Sequence, residues 1–462
     1  MRAILLIDFG STCTKVTSID ADAPRILGCA YDFTTVQTDI YEGFLRALQK
    51  LEKQTGKIEY EKTLACSSAA GGLKMIACGL VPSLTAEAAK RAALGAGAKV
   101  TGMYAYQMTE EDAAQIEQKK PDIFLLTGGT DGGNTEAILH NARLLAAINL
   151  PFPVVIAGNR AAAKECSQIL SASPHEALVT ENVMPTFNQL NIEPAKQVIR
   201  SIFLRRIISA KGLSRVQALI GDILMPTPAA VLCALELLSK GPDDDGRTGI
   251  GELMAVDLGG ATTDVYSIAS GAPGGAATLL RGLPEPFSKR TVEGDIGMRW
   301  SARGVIEAAG MEAVAAQSGL TQEQIEAQLL RIDADKSVLP DSPTMEKLDY
   351  ALATLAISVG LRRHSGTITQ VYTPVGPVFQ QTGKDLTHVS RLLLTGGALI
   401  HSKRYHEMAE AAMQYPAPES LMPRHAKALL DKDYILSALG LLAQTDKNAA
   451  FILLKNAFGK DE

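Results

Sequence analysis

The sequence is poor in aromatic residues and carries almost no excess of charge. Aromatic residues make up 5% of its 462 residues, and the formal net charge is −5. Proteins that bind nucleic acids commonly combine a basic surface with aromatic side chains that stack on bases, and acidic membranes attract basic segments. We therefore expect neither a nucleic acid nor a membrane among the partners of this chain.

Cysteine and histidine are too few and too scattered for a disulfide framework or a zinc site. No CxxC pair occurs, and the histidines show neither HxxxH nor HxH spacing. Zinc sites use such closely spaced ligands, and disulfide-stabilised domains use dense cysteines. We predict a protein of the reducing cytoplasm. The cysteines are Cys13, Cys29, Cys66, Cys78, Cys166 and Cys233.

Long apolar runs are also missing. A bilayer crossing needs roughly 20 apolar residues, and no run in the sequence approaches that length. The first residues lead directly into a strand pattern, without the basic, apolar and small-residue order of a signal peptide. The apolar content of 46% and the charged content of 21% are ordinary for a globular protein. We expect a protein that is neither exported nor inserted in a membrane.

Two short stretches share one pattern, Ile7–Lys15 (IDFGSTCTK) and Val256–Asp264 (VDLGGATTD). In each, an Asp ends an apolar run, glycine and hydroxyl residues follow, and apolar residues then return. This order predicts a strand, a tight turn and a second strand. The stretches are separated by more than half of the chain. Because the pattern occurs twice, chance explains it less readily than it would explain a single occurrence.

The chemistry of these stretches suits phosphate. Glycine lets backbone N–H groups approach an anion closely, and hydroxyl groups can donate hydrogen bonds to phosphate oxygens. The carboxylates of Asp8 and Asp257 repel phosphate, so we expect them to act through Mg²⁺ or its water molecules. We predict two related lobes that close on one nucleotide.

The length predicts roughly two to four domains. Residues 1–84 contain strand patterns around the first stretch and are assigned to the N-terminal part of a first lobe. Residues 85–220 alternate apolar runs with helical patterns, which predicts an inserted α/β unit with a parallel sheet. Residues 221–462 contain a helix, the second stretch and a buried strand that ends in a glycine pair. The predicted fold class is α/β.

Five local predictions concern single elements. Thr85–Leu94 is predicted as a helix with its first residue as the N-cap. A long helical region is predicted over Met298–Gly360, and Asp433–Ala443 is predicted as the closing helix. The proline-interrupted Val371–Val378 is predicted as an edge or loop segment. The basic cluster Arg362–His364 is interpreted as a solvated helix end rather than a ligand site.

Several residues allow a functional and a structural interpretation. The Gly-rich segment Thr127–Asn134 could bind an anion at the N-terminus of the helix that follows, or it could be a tight turn that needs no ligand. Glu293 and Asp295 could hold ribose hydroxyls or cap a helix. Asp264 is a site residue or a turn cap, and Lys15 is a phosphate ligand or a solvated lysine.

Four landmarks resemble the actin, sugar-kinase and Hsp70 superfamily of ATPases in their order and spacing. They are the first stretch Asp8–Lys15, a helix over Pro226–Leu238, the second stretch Asp257–Asp264 and the glycine loop Leu394–Ala398. The resemblance implies an actin-like (ribonuclease H-like) two-lobed ATPase fold, here with an inserted α/β unit. It also implies ATP or ADP with Mg²⁺ as ligands, the nucleoside lying against the glycine loop.

The resemblance assigns roles residue by residue. Asp8 and Asp257 become the candidates for catalysis and for the Mg²⁺ site. The candidates for nucleotide binding are Gly10, Ser11, Thr12, Lys15, Gly259, Gly260, Ala261, Thr262, Glu293, Gly396 and Gly397.

A narrower resemblance covers nearly the whole length. The stretches DFGSTCTK, LLTGGTDGGN, VDLGGATTDVYS, RTVEGDIGMR and LLLTGGALI are similar to the glutamate mutase accessory family of MutL type, which is unrelated to mismatch repair. Its members accompany adenosylcobalamin-dependent mutases, so the resemblance implies such a mutase as the protein partner. The cobalamin-binding signature Asp-x-His-x-x-Gly is absent, and we do not expect the chain to hold that cofactor itself. The oligomeric state is left open.

One position departs from the superfamily pattern. Hsp70-like members begin the connecting helix with Glu-Pro-Thr, and that Glu helps to position the attacking water, whereas this chain has Met225. A methionine can neither orient water nor accept a proton. Asp222, Asp8, Asp257 and Asp264 are the other candidate carboxylates. We therefore expect slow hydrolysis.

The leading interpretation is an ATP-binding accessory protein that reactivates an adenosylcobalamin-dependent mutase and uses slow ATP hydrolysis as a conformational switch. A small-molecule kinase of the same superfamily is an alternative, but it needs an Asp base for the acceptor hydroxyl, and no such Asp is recognisable. A nucleotide-binding scaffold without turnover is a further alternative, which Met225 favours.

Overall fold

The computed structural model describes the chain except for residues 36–38, 69–73, 97, 211–222, 243–245, 275–277, 375, 416 and 460–462. Asp222, one of the candidate carboxylates, therefore lies outside the described residues. The strands are β1 (Ala3–Phe9), β2 (Cys13–Asp20), β3 (Arg25–Phe33), β4 (Lys62–Ser67), β5 (Lys74–Gly79), β6 (Lys99–Ala105), β7 (Ile123–Leu126), β8 (Pro153–Ile156), β9 (Glu176–Val179), β10 (Ile223–Pro226), β11 (Leu253–Leu258), β12 (Thr263–Ile268), β13 (Thr278–Arg281), β14 (Ser288–Glu293), β15 (Thr367–Thr373), β16 (Gly376–Thr382), β17 (Arg391–Thr395) and β18 (Lys427–Leu430).

Helices alternate with these strands, and a π-helical turn, Pro82–Ala86, precedes the second of them. Among the helices of the described residues, none combines the length and the apolar composition that a bilayer crossing requires. The α-helices are α1 (Ile40–Thr55), α2 (Glu87–Gly95), α3 (Glu110–Lys119), α4 (Glu136–Ala146), α5 (Arg160–Ser171), α6 (Glu193–Ala210), α7 (Thr227–Lys240), α8 (Ala302–Ala309), α9 (Met311–Ser318), α10 (Gln322–Ala334), α11 (Pro343–His364), α12 (Gly397–Ile400), α13 (Tyr405–Gln414), α14 (Leu436–Leu442) and α15 (Lys447–Phe458).

The first compact unit comprises Met1–Ala230 and Gly282–Pro284. Its first sheet has the strand order β10-β4-β1-β2-β3. Strands β1, β2 and β3 are antiparallel neighbours, whereas β1, β4 and β10 run parallel. Every residue of β1 is buried. Burial on both faces explains why its sequence, AILLIDF, is apolar apart from one Asp.

The second sheet of this unit has the order β6-β5-β7-β8-β9, and every neighbouring pair is parallel. The alternation of strands and helices predicted an α/β unit in this part of the chain, and the sheet has that architecture. It also includes β5, which begins at Lys74 and so precedes residue 85. Because Met75–Cys78 are fully buried, β5 is a central strand of this sheet. The division of the chain at 84 and 220 stays a prediction.

The second compact unit comprises Val231–Arg281 and Glu285–Glu462, so the boundary between the units falls inside α7. Its main sheet has the order β14-β12-β11-β17-β18. Strands β14, β12 and β11 are antiparallel neighbours, and β11, β17 and β18 run parallel. Helix α11 packs against this sheet and is buried along most of its length. A small sheet, β13-β16-β15, completes the unit.

The structure corrects several local predictions. Thr85 is not an N-cap, because it lies in the π-helical turn, where its hydroxyl accepts from the Val81 N–H. The helical region Met298–Gly360 is divided into α8 to α11, and the helices are interrupted at Gly310, at Gly319 and over residues 335–342. The closing helix predicted near α14 is followed by α15. Val371–Val378 covers the end of the edge strand β15 and the start of the central strand β16.

Candidate functional site

The first predicted turn joins β1 to β2 directly after Asp8. The Gly10 N–H donates to the Cys13 carbonyl oxygen over 3.1 Å. A Cβ atom on Gly10 would lie 2.5 Å from that oxygen, so a larger residue fits only if the turn moves. Ser11 and Thr12 form the exposed tip of the turn. The tip of the turn is therefore open to solvent.

The carboxylate of Asp8 is buried, with 2% exposure, and both of its oxygens accept hydrogen bonds. Oδ1 accepts from the Thr227 hydroxyl at 2.6 Å and from the Cys66 thiol at 3.6 Å. Oδ2 accepts from the Lys15 ammonium at 3.2 Å. Lys15 is thus an ion-pair partner of Asp8 rather than a solvated lysine. Its role toward phosphate stays a prediction.

Cys66 contributes a neutral donor to this cluster. It is fully buried, and burial, together with the nearby negative charge of Asp8, raises the pKa of its thiol well above the ordinary value. The thiol form is therefore strongly favoured at neutral pH. Cys66 adds a weak hydrogen bond to Asp8 and no charge.

Strand register brings Thr227 to Asp8. Asp8 on β1 lies beside Cys66 on β4, and Cys66 lies beside Met225 on β10. Thr227 follows two residues later as the first residue of α7. The Met225 side chain is fully buried in the core. Sequence reasoning concentrated on Met225 and missed Thr227, although a hydroxyl residue directly after a buried strand is a signal that it could have used.

The second predicted turn joins β11 to β12 and repeats the geometry of the first. The Gly259 N–H donates to the Thr262 carbonyl oxygen over 3.0 Å, and a Cβ atom on Gly259 would lie 2.8 Å from that oxygen. Asp257, two residues before this glycine, is half-buried, and Ala261 is the exposed tip. The predicted strand–turn–strand structure is therefore confirmed at both stretches.

The segment Met298–Ser301 supports the second turn by hydrogen bonds to its carbonyl oxygens. Its first three N–H groups donate to the carbonyl oxygens of Gly259 and Gly260 at 2.8–3.0 Å, and its Ser hydroxyl donates to the Ala261 carbonyl oxygen at 2.6 Å. Trp300, the single tryptophan of the chain, is 68% exposed. A Cβ atom on Gly260 would lie 3.8 Å from the Trp300 ring. The tryptophan therefore lies beside the second turn.

Asp264 lies opposite Asp257 across the second hairpin. Its Oδ1 accepts from Arg290 Nη2 at 2.6 Å and from Arg290 Nε at 2.8 Å. The Arg290 residue is only 8% exposed. Asp264 is therefore one half of a nearly buried ion pair rather than a turn cap.

Glu293 and Asp295 share one cationic partner. Arg363 Nη1 donates to Glu293 Oε2 at 2.9 Å and to the two carboxylate oxygens of Asp295 at 2.9 and 3.0 Å. Glu293 ends β14 and is buried, whereas Asp295 is exposed. These contacts give Glu293 and Asp295 a structural role that requires no bound nucleotide. The assignment of Glu293 to nucleotide binding stays a prediction.

The basic cluster Arg362–His364 is a solvated helix end only in part, because Arg363 is exposed and Arg362 is half-buried. His364 is fully buried, and its two ring nitrogens each lie 2.8 Å from a hydroxyl oxygen, Thr291 Oγ1 and Ser267 Oγ. Burial, with positive charge from two nearby lysines, holds the pKa of His364 well below its ordinary value. His364 therefore belongs to the core of its unit, in which α11 packs on β12 and β14.

The glycine loop follows β17, where Thr395 lies beside Asp257 in the sheet. Gly396 has a φ of +104°, and a Cβ atom on it would lie 2.3 Å from the Leu258 carbonyl oxygen. Gly397 is the first residue of the short helix α12. Strand packing alone therefore requires glycine at 396, and the role of the pair toward adenosine stays a prediction.

The Gly-rich segment Thr127–Asn134 makes hydrogen bonds to two asparagines that follow the neighbouring strands β8 and β9. Asn159 Nδ2 donates to two carbonyl oxygens of the segment at 3.0 and 3.2 Å, and its Oδ1 accepts from the Gly132 N–H. Asn182 Nδ2 donates to the Gly129 carbonyl oxygen and to the Asp131 carboxylate at 3.0 Å each. These bonds favour the structural turn over a ligand cradle.

The candidate residues thus form two groups, one around Asp8 in the first unit and one around Asp257 in the second. Each group lies on a sheet in which the third, second, first, fourth and fifth strands follow one another in space. In each sheet the first strand carries the Asp and leads into the glycine turn. Two ribonuclease H-like sheets of this kind define the actin-like class of ATPase fold.

The particular family follows from comparison with known proteins. A family model described as MutL protein matches residues 4–458, and the chain belongs to this family, which is of the glutamate mutase accessory type. The Protein MutL of Clostridium tetanomorphum is 48% identical to it over 461 residues, which cover 98% of this chain and 99% of the relative.

Solved structures offer only distant likenesses. A diol dehydratase-reactivating factor in nucleotide-free form is 11% identical and has a TM-score of 0.37, with 97% of this chain and 100% of that chain covered. The xylulose kinase from Bifidobacterium adolescentis is 10% identical and has a TM-score of 0.32, with 97% and 92% covered. Likenesses this distant add nothing to the fold that the strand order defines.

Proposed function

We propose that this protein binds ATP with Mg²⁺ and reactivates an adenosylcobalamin-dependent mutase, such as glutamate mutase, with slow ATP hydrolysis as a conformational switch. The observation that carries the proposal is the repeated turn. In each unit an Asp of the first strand precedes a glycine whose N–H donates to the carbonyl oxygen three residues later. Membership of the MutL family supports the accessory role.

The two turns suit phosphate because their tips are accessible. Ser11 and Thr12 in the first turn and Ala261 in the second are exposed, and successive backbone N–H groups in such turns bind anions. Mg²⁺, when bound, supplies the positive charge that neutralises the β- and γ-phosphates. Asp8 and Asp257 are the residues that would hold its water molecules.

The connecting segment, Met225–Thr227, which leads into α7, favours slow turnover. Met225 is fully buried, so the position that carries a water-orienting Glu in Hsp70-like ATPases supplies neither a carboxylate nor a surface group here. A switch needs only a difference in affinity between its two states, about 5.5 kcal/mol for a nearly complete shift. Nucleotide binding without turnover is the alternative that the same observation favours, and phosphate release measured with and without the mutase separates the two.

Trp300 provides a direct test of nucleotide binding. It is the single tryptophan and lies beside Gly260, so its fluorescence reports on the second turn. We expect a saturable change of emission when ADP or ATP is added with Mg²⁺, and a weaker affinity in Asp8→Asn. Unchanged emission together with no heat of binding in calorimetry would remove the nucleotide from the proposal.

The mutase partner is tested by co-purification with candidate adenosylcobalamin-dependent mutases in ATP and in ADP, followed by a reactivation assay. We expect association that depends on the nucleotide and loss of reactivation in Asp8→Ala. Asp22→Ala is the matched control, because Asp22 is an exposed residue of the turn between β2 and β3. Full reactivation by Asp8→Ala would contradict the switch.

A further inference from the structure

The contact between Thr227 and Asp8 joins residues that are 219 positions apart in the sequence. The Thr227 hydroxyl donates to Asp8 Oδ1 at 2.6 Å, the distance typical of a hydroxyl bonded to a charged carboxylate. Thr227 is 8% exposed and Asp8 is 2% exposed. The bond is therefore made largely out of water, where charge-assisted hydrogen bonds are strongest.

Two further donors to Asp8, Cys66 and Lys15, are less well suited to orient it. The Cys66 thiol lies 3.6 Å from the same oxygen and is a weak donor. The Lys15 ammonium contacts the opposite oxygen at 3.2 Å, and its long side chain remains 20% exposed. A short hydroxyl bond on one oxygen and an ammonium on the other fix the plane of the carboxylate.

The backbone around Thr227 is built to hold the hydroxyl in place. Strand β10 is paired to β4 up to Pro226, and α7 begins at Thr227 with Pro228 as its second residue. Proline in the first turn of a helix fixes φ at a helical value. A sheet edge on one side and a proline on the other leave the Thr227 backbone little freedom.

We infer that Thr227 is a positioning residue for Asp8, which fixes the carboxylate in the orientation that the magnesium-bound nucleotide needs. This inference rests on the proposed function and deepens it. The connecting segment then contributes to the site through the Thr227 hydroxyl that donates to Asp8, whereas its buried Met225 takes no part. Removal of the hydroxyl should weaken the part of nucleotide binding that depends on Mg²⁺ and leave the metal-independent part unchanged.

The test measures ADP affinity by calorimetry in Mg²⁺ and in EDTA for Thr227→Val and Thr227→Ser. Valine keeps the shape and removes the hydroxyl, so the gain in affinity from Mg²⁺ should fall about tenfold, as expected for one lost hydrogen bond to a charged group. The affinity in EDTA should stay within about twofold. Serine restores the donor, and the gain should return to within about threefold of the parent protein.

Thr354→Val is the matched control, because Thr354 is also buried and its hydroxyl donates to the Tyr350 carbonyl oxygen inside α11. It should leave both affinities unchanged. Thr227→Cys, which keeps a small side chain with a weaker donor, replaces the valine variant if that variant fails to fold. It should show an intermediate loss.

The outcomes separate the inference from the proposed function. If the parent protein gains affinity from Mg²⁺ and Thr227→Val gains as much, Thr227 is only a packing residue and the inference is overturned alone. An equal loss in Mg²⁺ and in EDTA also overturns it, since a structural defect acts on both. If the parent protein shows no Mg²⁺-dependent binding, both proposals fall.

Discussion

The two glycine turns have the same backbone geometry and different supports. Their closing N–H to carbonyl distances are 3.1 and 3.0 Å. In the first, the side chains of Thr227 and Lys15 bind the carboxylate of Asp8, and the tip carries the hydroxyls of two exposed residues. In the second, Met298–Ser301 binds the carbonyl oxygens of the turn itself.

This difference shows that a shared motif specifies the backbone of a turn but not the contacts that stabilise it. In the first unit the neighbours orient a buried carboxylate. In the second unit they fix the backbone, and the buried charge lies across the hairpin in the pair of Asp264 with Arg290. We therefore expect the loss of a supporting side chain to affect ligand binding most in the first hairpin and stability most in the second.

The largest effect is expected from Arg290→Met. It leaves the Asp264 carboxylate without its nearly buried cation, and loss of one partner of a buried ion pair costs about 3–5 kcal/mol. The corresponding change in the first hairpin, Lys15→Met, should cost less, because the Lys15 side chain is partly exposed and Asp8 keeps the hydrogen bond from the Thr227 hydroxyl. Denaturant unfolding measures both. Equal losses would contradict the contrast between the two supports.

Alanine at the turn glycines should give the next largest effect. In Gly10→Ala and Gly259→Ala the new methyl group lies 2.5 and 2.8 Å from a carbonyl oxygen of the same turn, and overpacking of this kind costs about 1–3 kcal/mol. The first variant should lose more. Gly260→Ala is the control for stability, since its nearest contact would be 3.8 Å. A stable Gly10→Ala would show that the first turn is the more adaptable one.

Acid should destabilise the second unit through His364. Burial holds its pKa well below the ordinary value in the folded state, so the unfolded chain binds the extra proton first. The free energy of unfolding should fall as the pH drops below about 6.5, by up to about 1.4 kcal/mol per pH unit until the folded pKa is reached.

Unfolding curves at several pH values, read by Trp300 fluorescence, test this expectation. Trp300 and His364 belong to the same compact unit. His364→Gln is the comparison variant and should show a shallower pH dependence. Residues 1–84, which surround the first turn, contain no histidine. A slope that His364→Gln leaves unchanged would assign the pH dependence to other groups.

The smallest effect is expected from Ser301→Ala, which removes the hydroxyl bond to the Ala261 carbonyl oxygen. The loss in the free energy of unfolding should be about 1 kcal/mol. Amide hydrogen exchange should become faster in the second turn and stay unchanged in the first. Unchanged exchange in the second turn would mean that the N–H bonds of this segment support the turn without the hydroxyl.

Local patterns in the sequence were sufficient for part of the fold. Both hairpins, the connecting helix and the buried strand before Gly396 were predicted, because glycine, hydroxyl and apolar residues act within a few positions of each other. The parallel sheet of β5 to β9 was predicted from the alternation of strands and helices, but β5 was separated from it. Its buried sequence resembles the preceding strand β4, and only pairing with β6 and β7 distinguishes them.

The partners of the candidate residues could not be predicted in the same way. Arg290 and Arg363 bind carboxylates 26 and 70 residues away, and a sequence pattern contains no signal for such a contact. Solvation was likewise misjudged at His364, because three adjacent basic residues usually indicate a surface, whereas this histidine is buried at the end of a helix that packs in the core.

By itself, the sequence determined the two Asp–glycine turns, the α/β class and the MutL family resemblance, since each depends on short stretches whose residues act locally. Only the tertiary structure decided that Thr227 contacts Asp8, that Met225 is buried and that Met298–Ser301 supports the second turn. The physical reason is strand register. Which side chains meet across parallel strands depends on the pairing of segments far apart in the chain, and a one-residue shift exchanges buried for exposed positions.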